Sequence, residues 1–144
     1  MDLRKILSVH DHSTFTDVCL LSMRVVGGVA FMVHGWGKIQ NPFAWMGPDA
    51  FAPGLFQALA ALSEFGGGLA WVVGLLTPLA SLGIASTMAV AVYFHAVMRG
   101  DPFISSGGGS SFELAAIYFC IAVLLIAIGP GRLAFDRIIF GSRV

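Results

Sequence analysis

Glu64 stands near the middle of an almost wholly apolar run, LFQALAALSEFGGGLAWVVGLL, residues 55–76. Alone in hydrocarbon, a carboxylate at that depth would cost about 2.5–3.5 kcal/mol, so it calls for a partner. The other ionisable groups in apolar surroundings supply candidates. His34 and Lys38 are four residues apart, on one face of a helix, and His95 and Arg99 repeat that spacing. Glu113 opens another apolar run, and Arg24 lies inside the first. Glu64, His95 and Glu113 are the candidate proton-handling catalytic groups. His34, Lys38, Arg24, Trp71 and Tyr93 are candidates to line a pocket around them, with Trp36 and Phe94 as further aromatic wall.

Two chemistries suit this set. Imidazole and carboxylate together can bind one metal ion, although a di-iron bundle requires Glu-x-x-His, and Gly67 and Ala116 stand where its histidines belong. The better fit is a polar pocket between helices that holds a quinone-type amphipathic molecule, where His and Glu accept and release protons. No metal ligand is assigned. The bland readings stand beside these: interfacial solvation explains Arg99, Lys38 and Glu113, and either histidine alone can be a core hydrogen-bonding group. Glu64 and Arg24 resist that reading, because a charge pair buried for stability alone gains little.

Two pairings are open. Glu64 can meet Arg24 near mid-membrane while Glu113 meets His34, Lys38 or His95. Alternatively Glu64 reaches the histidines and Arg24 snorkels toward the cytoplasm. Residues 66–68 are all glycine, and with Gly27 and Gly28 they read as points of close helix approach.

The elements that must position these groups follow from hydropathy. Of 144 residues, 57% are hydrophobic and 11% charged, against about 25% charged in an ordinary soluble domain, so lipid is the expected solvent. Four apolar runs, 18–37, 55–76, 79–98 and 112–129, each approach the ~20 residues that cross a bilayer as a helix. The fold class expected is all-α: a four-transmembrane-helix bundle with short interfacial N- and C-terminal segments. Residues 1–17 form an N-terminal segment, 18–129 the membrane domain and 130–144 the tail. Pro78 is placed to start the third helix and Ser110 or Ser111 to cap the fourth. With helices directed this way, Glu64 lies roughly 13 Å below the outer start of its span.

Arg4, Lys5, Arg132, Arg137 and Arg143 flank the membrane on one side, against Lys38 and Arg99 on the other. The positive-inside rule thus places both termini in the cytoplasm of a protein of the cell (inner) membrane. The tail RLAFDRIIFGSRV reads as an interfacial helix, and LRKIL near the start as a shorter version. The opening 17 residues are too polar for a signal peptide's apolar core, so the first span is expected to remain as an anchor. No basic run is long enough to follow a phosphate backbone, which excludes a nucleic-acid partner. Cys19 and Cys120 form no Cys-x-x-Cys motif and read as small buried hydrophobes. The shared His-x-x-x-basic spacing of the first and third helices hints at two related hairpins.

Arg24, HGWGK (34–38), EFGGGLAWVVGLLTPLA (64–80), FH (94–95), Glu113 and GPGRLAFD (129–136) together resemble the DoxX family of small four-helix bacterial membrane proteins. The resemblance runs over residues 18–136. It implies a cytoplasmic-membrane protein, some of whose relatives are subunits of quinone-linked oxidoreductases acting on thiosulfate, while others accompany thiol or oxidative-stress systems. No flavin, haem or iron–sulfur motif is present, so a redox role calls for a bound quinone, a metal or a partner subunit. The expected function is therefore a membrane subunit of an electron-transfer or oxidoreductase system. The alternatives are a small proton or solute transporter, which in so narrow a bundle calls for a homo-oligomer, and a non-catalytic assembly partner.

Overall fold

A computed structural model describes residues 7–143 of the chain. The N-terminal segment LRKIL lies outside the described residues except for Leu7. Among the described residues five α-helices follow one another: α1 (Thr14–Gln40), α2 (Gly54–Val73), α3 (Thr77–Tyr93, continued as a π-helical turn Phe94–Met98), α4 (Glu113–Ile128) and the short α5 (Phe135–Phe140). Two-residue strands β1 (Val9–His10) and β2 (Ser142–Arg143) pair in parallel, Val9 opposite Ser142, and tie the two ends of the chain together.

Each boundary has a local cause. α1 starts four residues earlier than its apolar run because Ser13 caps it, its Oγ accepting the Thr16 N–H at 3.1 Å. α2 ends before its apolar run does. Gly74 takes a left-handed φ of 72° and Leu76 follows at φ 50°, which turns the chain into α3. Pro78 then lies in the first turn of α3, as its sequence position requires. α4 begins behind Phe112 and has no side-chain cap, so the serine cap is not formed. The preceding loop does the same work, the Phe103 carbonyl accepting the Glu113 N–H at 3.1 Å.

α1, α2 and the α3 segment Thr77–Met98 are long and apolar enough to cross a membrane; α4, at 16 residues, is apolar but shorter. They pack in sequence, α1 on α2, α2 on α3, α3 on α4. The core between them is Phe31, Trp71, Ile84 and Leu125 with their neighbours. Phe31 sits edge-on to Trp71 at 5.5 Å and reaches Tyr118 at 4.7 Å, which links α1 to both α2 and α4. Gly28 and Gly68 face each other so closely that a β-carbon on Gly28 would stand 2.5 Å from the Gly68 carbonyl oxygen. Gly27, Gly28, Gly67 and Gly68 each lie against a neighbouring helix, whereas Gly66 faces only Leu62 of its own helix.

Outside this core the helices are sheathed in exposed Val, Leu, Ile and Phe, the arrangement lipid stabilises and water does not. Cys19 and Cys120 belong to that sheath. Both are exposed, contrary to their expected burial, because they fall on the helix faces turned away from the bundle.

At the termini end a set of acids clamps the tail. Asp17, 2% exposed, accepts from the Arg132 backbone N–H at 2.8 Å and from its Nε at 2.5 Å. Asp136 on α5 accepts the N–H groups of Leu76 and Thr77 at 2.6 and 2.8 Å, capping α3 from 59 residues away. Arg24 is fully buried and its Nη2 donates to the Leu133 carbonyl at 2.7 Å.

Candidate functional site

The opposite end of the bundle collects the polar groups of α1, α2 and α3. Lys38, in the last turn of α1, donates to both oxygens of Glu64 on α2 at 2.6 Å. Its ammonium also lies 4.5 Å over the ring of Trp45. Trp45 is held in place from below, its Nε1 donating to the Gln57 carbonyl at 2.9 Å. Gln57, itself buried, accepts from the Met46 N–H at 3.0 Å and donates to the Ala52 carbonyl at 2.9 Å. One glutamine thus folds the α1–α2 loop over the end of the bundle.

Neither pairing read from the sequence forms. Glu64 meets Lys38, which had been matched with Glu113, because the lysine stem is long enough to bring its ammonium down one helix face to the next helix. Arg24 does turn toward the termini end, as the second pairing has it, but is fully buried and does not reach solvent. The α5 tail folds over it and supplies the Leu133 carbonyl. Arg24 is therefore at the far end of the molecule from Glu64 and lines no hollow with it.

His95 is also satisfied differently. The turn Phe94–Met98 is π-helical, with the Arg99 N–H bonded to the Phe94 carbonyl five residues back at 3.0 Å. That turn and Gly100, at φ 68°, bring Asp101 back onto the helix end. Asp101 Oδ2 then lies 2.6 Å from His95 Nδ1 and 3.4 Å from Arg99 Nε. Glu113 is left half-buried with no ion pair among the described residues. The apparent repeat between the two hairpins is thus not matched by equivalent partners.

Two hollows flank this polar wall. The smaller, about 230 Å³, lies centrally and is bounded by His34, Lys38, Glu64, His95, Ser111 and Tyr118 among others. The larger, about 650 Å³, lies between α2, α3 and the α1–α2 loop. Lys38, Glu64 and His95 border both. The larger one is otherwise mostly apolar, and its lining residues Phe56, Leu59 and Val90 are themselves 50–61% exposed on the outer surface.

Of the expected pocket residues, Glu64, His95, His34 and Lys38 are brought together. Glu113, Arg24, Trp71 and Tyr93 are not. Trp71 is in the core with its Nε1 donating to Ser81 Oγ at 2.9 Å, its ring packed on Gly27 of α1, where a β-carbon would stand 3.1 Å away. Tyr93 is 58% exposed on the outward face of α3. Trp36 likewise faces out and packs on Phe65 at 5.6 Å. Trp45, Gln57 and Asp101 were missed. The signal for Asp101 was its place just past a glycine at the end of the histidine's helix. Among the described residues no three His, Cys, Asp or Glu side chains converge as metal ligands would.

Apolar helices in a lipid-facing sheath, with a shielded ion pair at one end, define an integral membrane protein. Residues 19–96 match the DoxX family. The chain is 34% identical over 130 residues to the inner membrane protein YqjF of Escherichia coli strain K12, covering 85% of this chain and 93% of that one. No solved structure matches significantly. The chain belongs to the DoxX family, as its sequence elements implied.

Proposed function

We propose that this DoxX protein crosses the inner membrane four times with both termini in the cytoplasm, and that it serves an electron-transfer system by holding a quinone-type ligand against Lys38, Glu64 and His95. The observation that carries the reading is the larger hollow, apolar along its length and polar at one wall. Its volume, about 650 Å³, falls within the roughly 300–1,000 Å³ of small-molecule pockets. Exposed Phe56, Leu59 and Val90 along its edge favour entry from lipid, the phase in which such a ligand dissolves. The pairing of β1 with β2 supports an even number of crossings, because it needs both ends on one side. The basic residues near those ends support the cytoplasmic side.

A bound quinone would supply a two-electron, two-proton couple. The residues do the rest. Two of the Lys38 ammonium protons engage Glu64, and the third is free to donate to a carbonyl oxygen of the ligand. Glu64 fixes the position of the ammonium. His95 faces the same hollow with a proton-exchanging ring. Electrons come from or go to a partner subunit, because the chain carries no redox motif of its own.

Purification in mild detergent followed by mass spectrometry of the extracted lipids tests this. Ubiquinone or menaquinone is expected to co-purify, and Lys38→Met or Glu64→Gln to lose it. Failure of both to appear, together with unchanged Trp45 fluorescence on adding decylubiquinone, would overturn the proposal.

A further inference from the structure

Asp101 is joined to His95 twice. Its carboxylate lies 2.6 Å from His95 Nδ1, and its own N–H donates to the His95 carbonyl at 2.9 Å. The imidazole is also fenced by Phe94, edge-on at 5.4 Å, on which Phe51 stacks at 4.9 Å. An ionised carboxylate can only accept, so the Nδ1 of the ring must carry the proton. In a neutral imidazole Nε2 is then left with a lone pair, the same division of labour by which a buried aspartate sets a catalytic histidine's tautomer. His95 borders both hollows, while Asp101 and the half-exposed Arg99 lie at the loop surface.

We propose that Asp101 is a positioning residue that fixes His95 as a hydrogen-bond acceptor toward the ligand, so that the site selects the hydroxylated, reduced form of a quinone-type molecule over the oxidised one. This rests on the reading of the hollow as a ligand site. Lys38 donates and His95 Nε2 accepts, so a hydroxyl oxygen and its proton both find partners, whereas a second carbonyl facing Nε2 finds none. A proton taken from that hydroxyl by Nε2 forms an imidazolium balanced by Asp101. The same proton then leaves Nε2 to solvent, to which the His95 side chain is 29% exposed, and the acceptor is restored.

The test is a ¹⁵N spectrum of the full chain labelled at histidine, in detergent micelles without ligand, with the His95 signals assigned by His95→Gln. The wild type is expected to show a protonated Nδ1 and an unprotonated Nε2. Asp101→Ala is expected to move the proton to Nε2, and Asp101→Glu to restore the wild-type pattern. In parallel, binding of decylubiquinol to Asp101→Ala is expected to weaken about tenfold, the worth of one hydrogen bond to a charged or strongly polarised group, with decylubiquinone affected much less.

A wild-type spectrum with the proton already on Nε2, or equal losses for the two probes, overturns the role of Asp101 and leaves the ligand site standing. Absence of binding of either probe to wild type removes the ligand site, and with it the selection argued here.

Discussion

Lys38 grips both carboxylate oxygens of Glu64 at 2.6 Å, and the two side chains are 26% and 4% exposed. The pair is lopsided: the acid is sealed in and the base is reached from outside. Removing the base therefore strands a buried charge, while removing both leaves only apolar packing. Lys38→Met is expected to destabilise the protein by about 2–3 kcal/mol, and the double variant Lys38→Met/Glu64→Leu to recover most of that. Detergent unfolding curves of the single and double variants check the cycle. Ligand retention should stay lost in the double variant.

Asp136 caps α3 through the Leu76 and Thr77 N–H groups, at a place where no residue of the turn itself can do so. Asp136→Ala is expected to cost about 2 kcal/mol, one to two charge-assisted hydrogen bonds. It should also release α5. Faster proteolysis after Arg132 or Arg137 than in wild type would report that release, and Asp136→Asn should fall between the two.

The close contact of Gly28 with Gly68 predicts position-specific damage. Gly28→Ala drives a methyl into the opposing backbone at 2.5 Å, where nothing can rotate away, and is expected to cost about 1–3 kcal/mol. Gly37, on the same helix, has open space around it. Gly37→Ala is expected to be neutral or to stabilise by up to about 1 kcal/mol through helix propensity. Thermal aggregation midpoints of the two variants, measured in one detergent, make the comparison.

Trp71 separates stability from site chemistry. Its ring fills the core, its N–H is taken by Ser81, and it lines neither hollow. Trp71→Phe is expected to lower stability by about 1–2 kcal/mol, from the lost buried hydrogen bond and unfilled volume. It should leave quinone retention unchanged once the protein is folded. Tyr93→Ala, on the lipid-facing side of α3, should change neither quantity.

The pairing of Val9 with Ser142 brings the two ends within one strand spacing. Single cysteines at Asp11 and Ser142, in a background with Cys19 and Cys120 replaced by alanine, should both react with a membrane-impermeant maleimide only in inside-out vesicles. Labelling of one from each side would rule out a shared cytoplasmic location.

What was legible in the chain was set by solvent and by local geometry. Apolar runs of membrane length follow from the need to satisfy backbone groups without water, so the helices were readable to within a few residues. The end of α2 was not, because Gly74 and Leu76 turn early under a cap supplied by Asp136, which no local pattern announces. The same holds for the site. That Glu64 calls for a partner follows from its burial cost, and three of the seven other expected residues, His34, Lys38 and His95, do converge around it.

Which cation it takes was beyond the sequence. Arg24 and the histidines were the partners open to it by depth; the segment before α5 occupies Arg24 with the Leu133 carbonyl, and Lys38 is the cation that reaches Glu64. Asp101 likewise takes His95, for which Glu113 and Glu64 were both open, because a π-helical turn and a left-handed Gly100 bring the loop back onto the helix end. Residue type and depth determined that charges must pair. Side-chain reach, turn geometry and the docking of distant segments determined with whom, since those depend on the whole chain being folded at once.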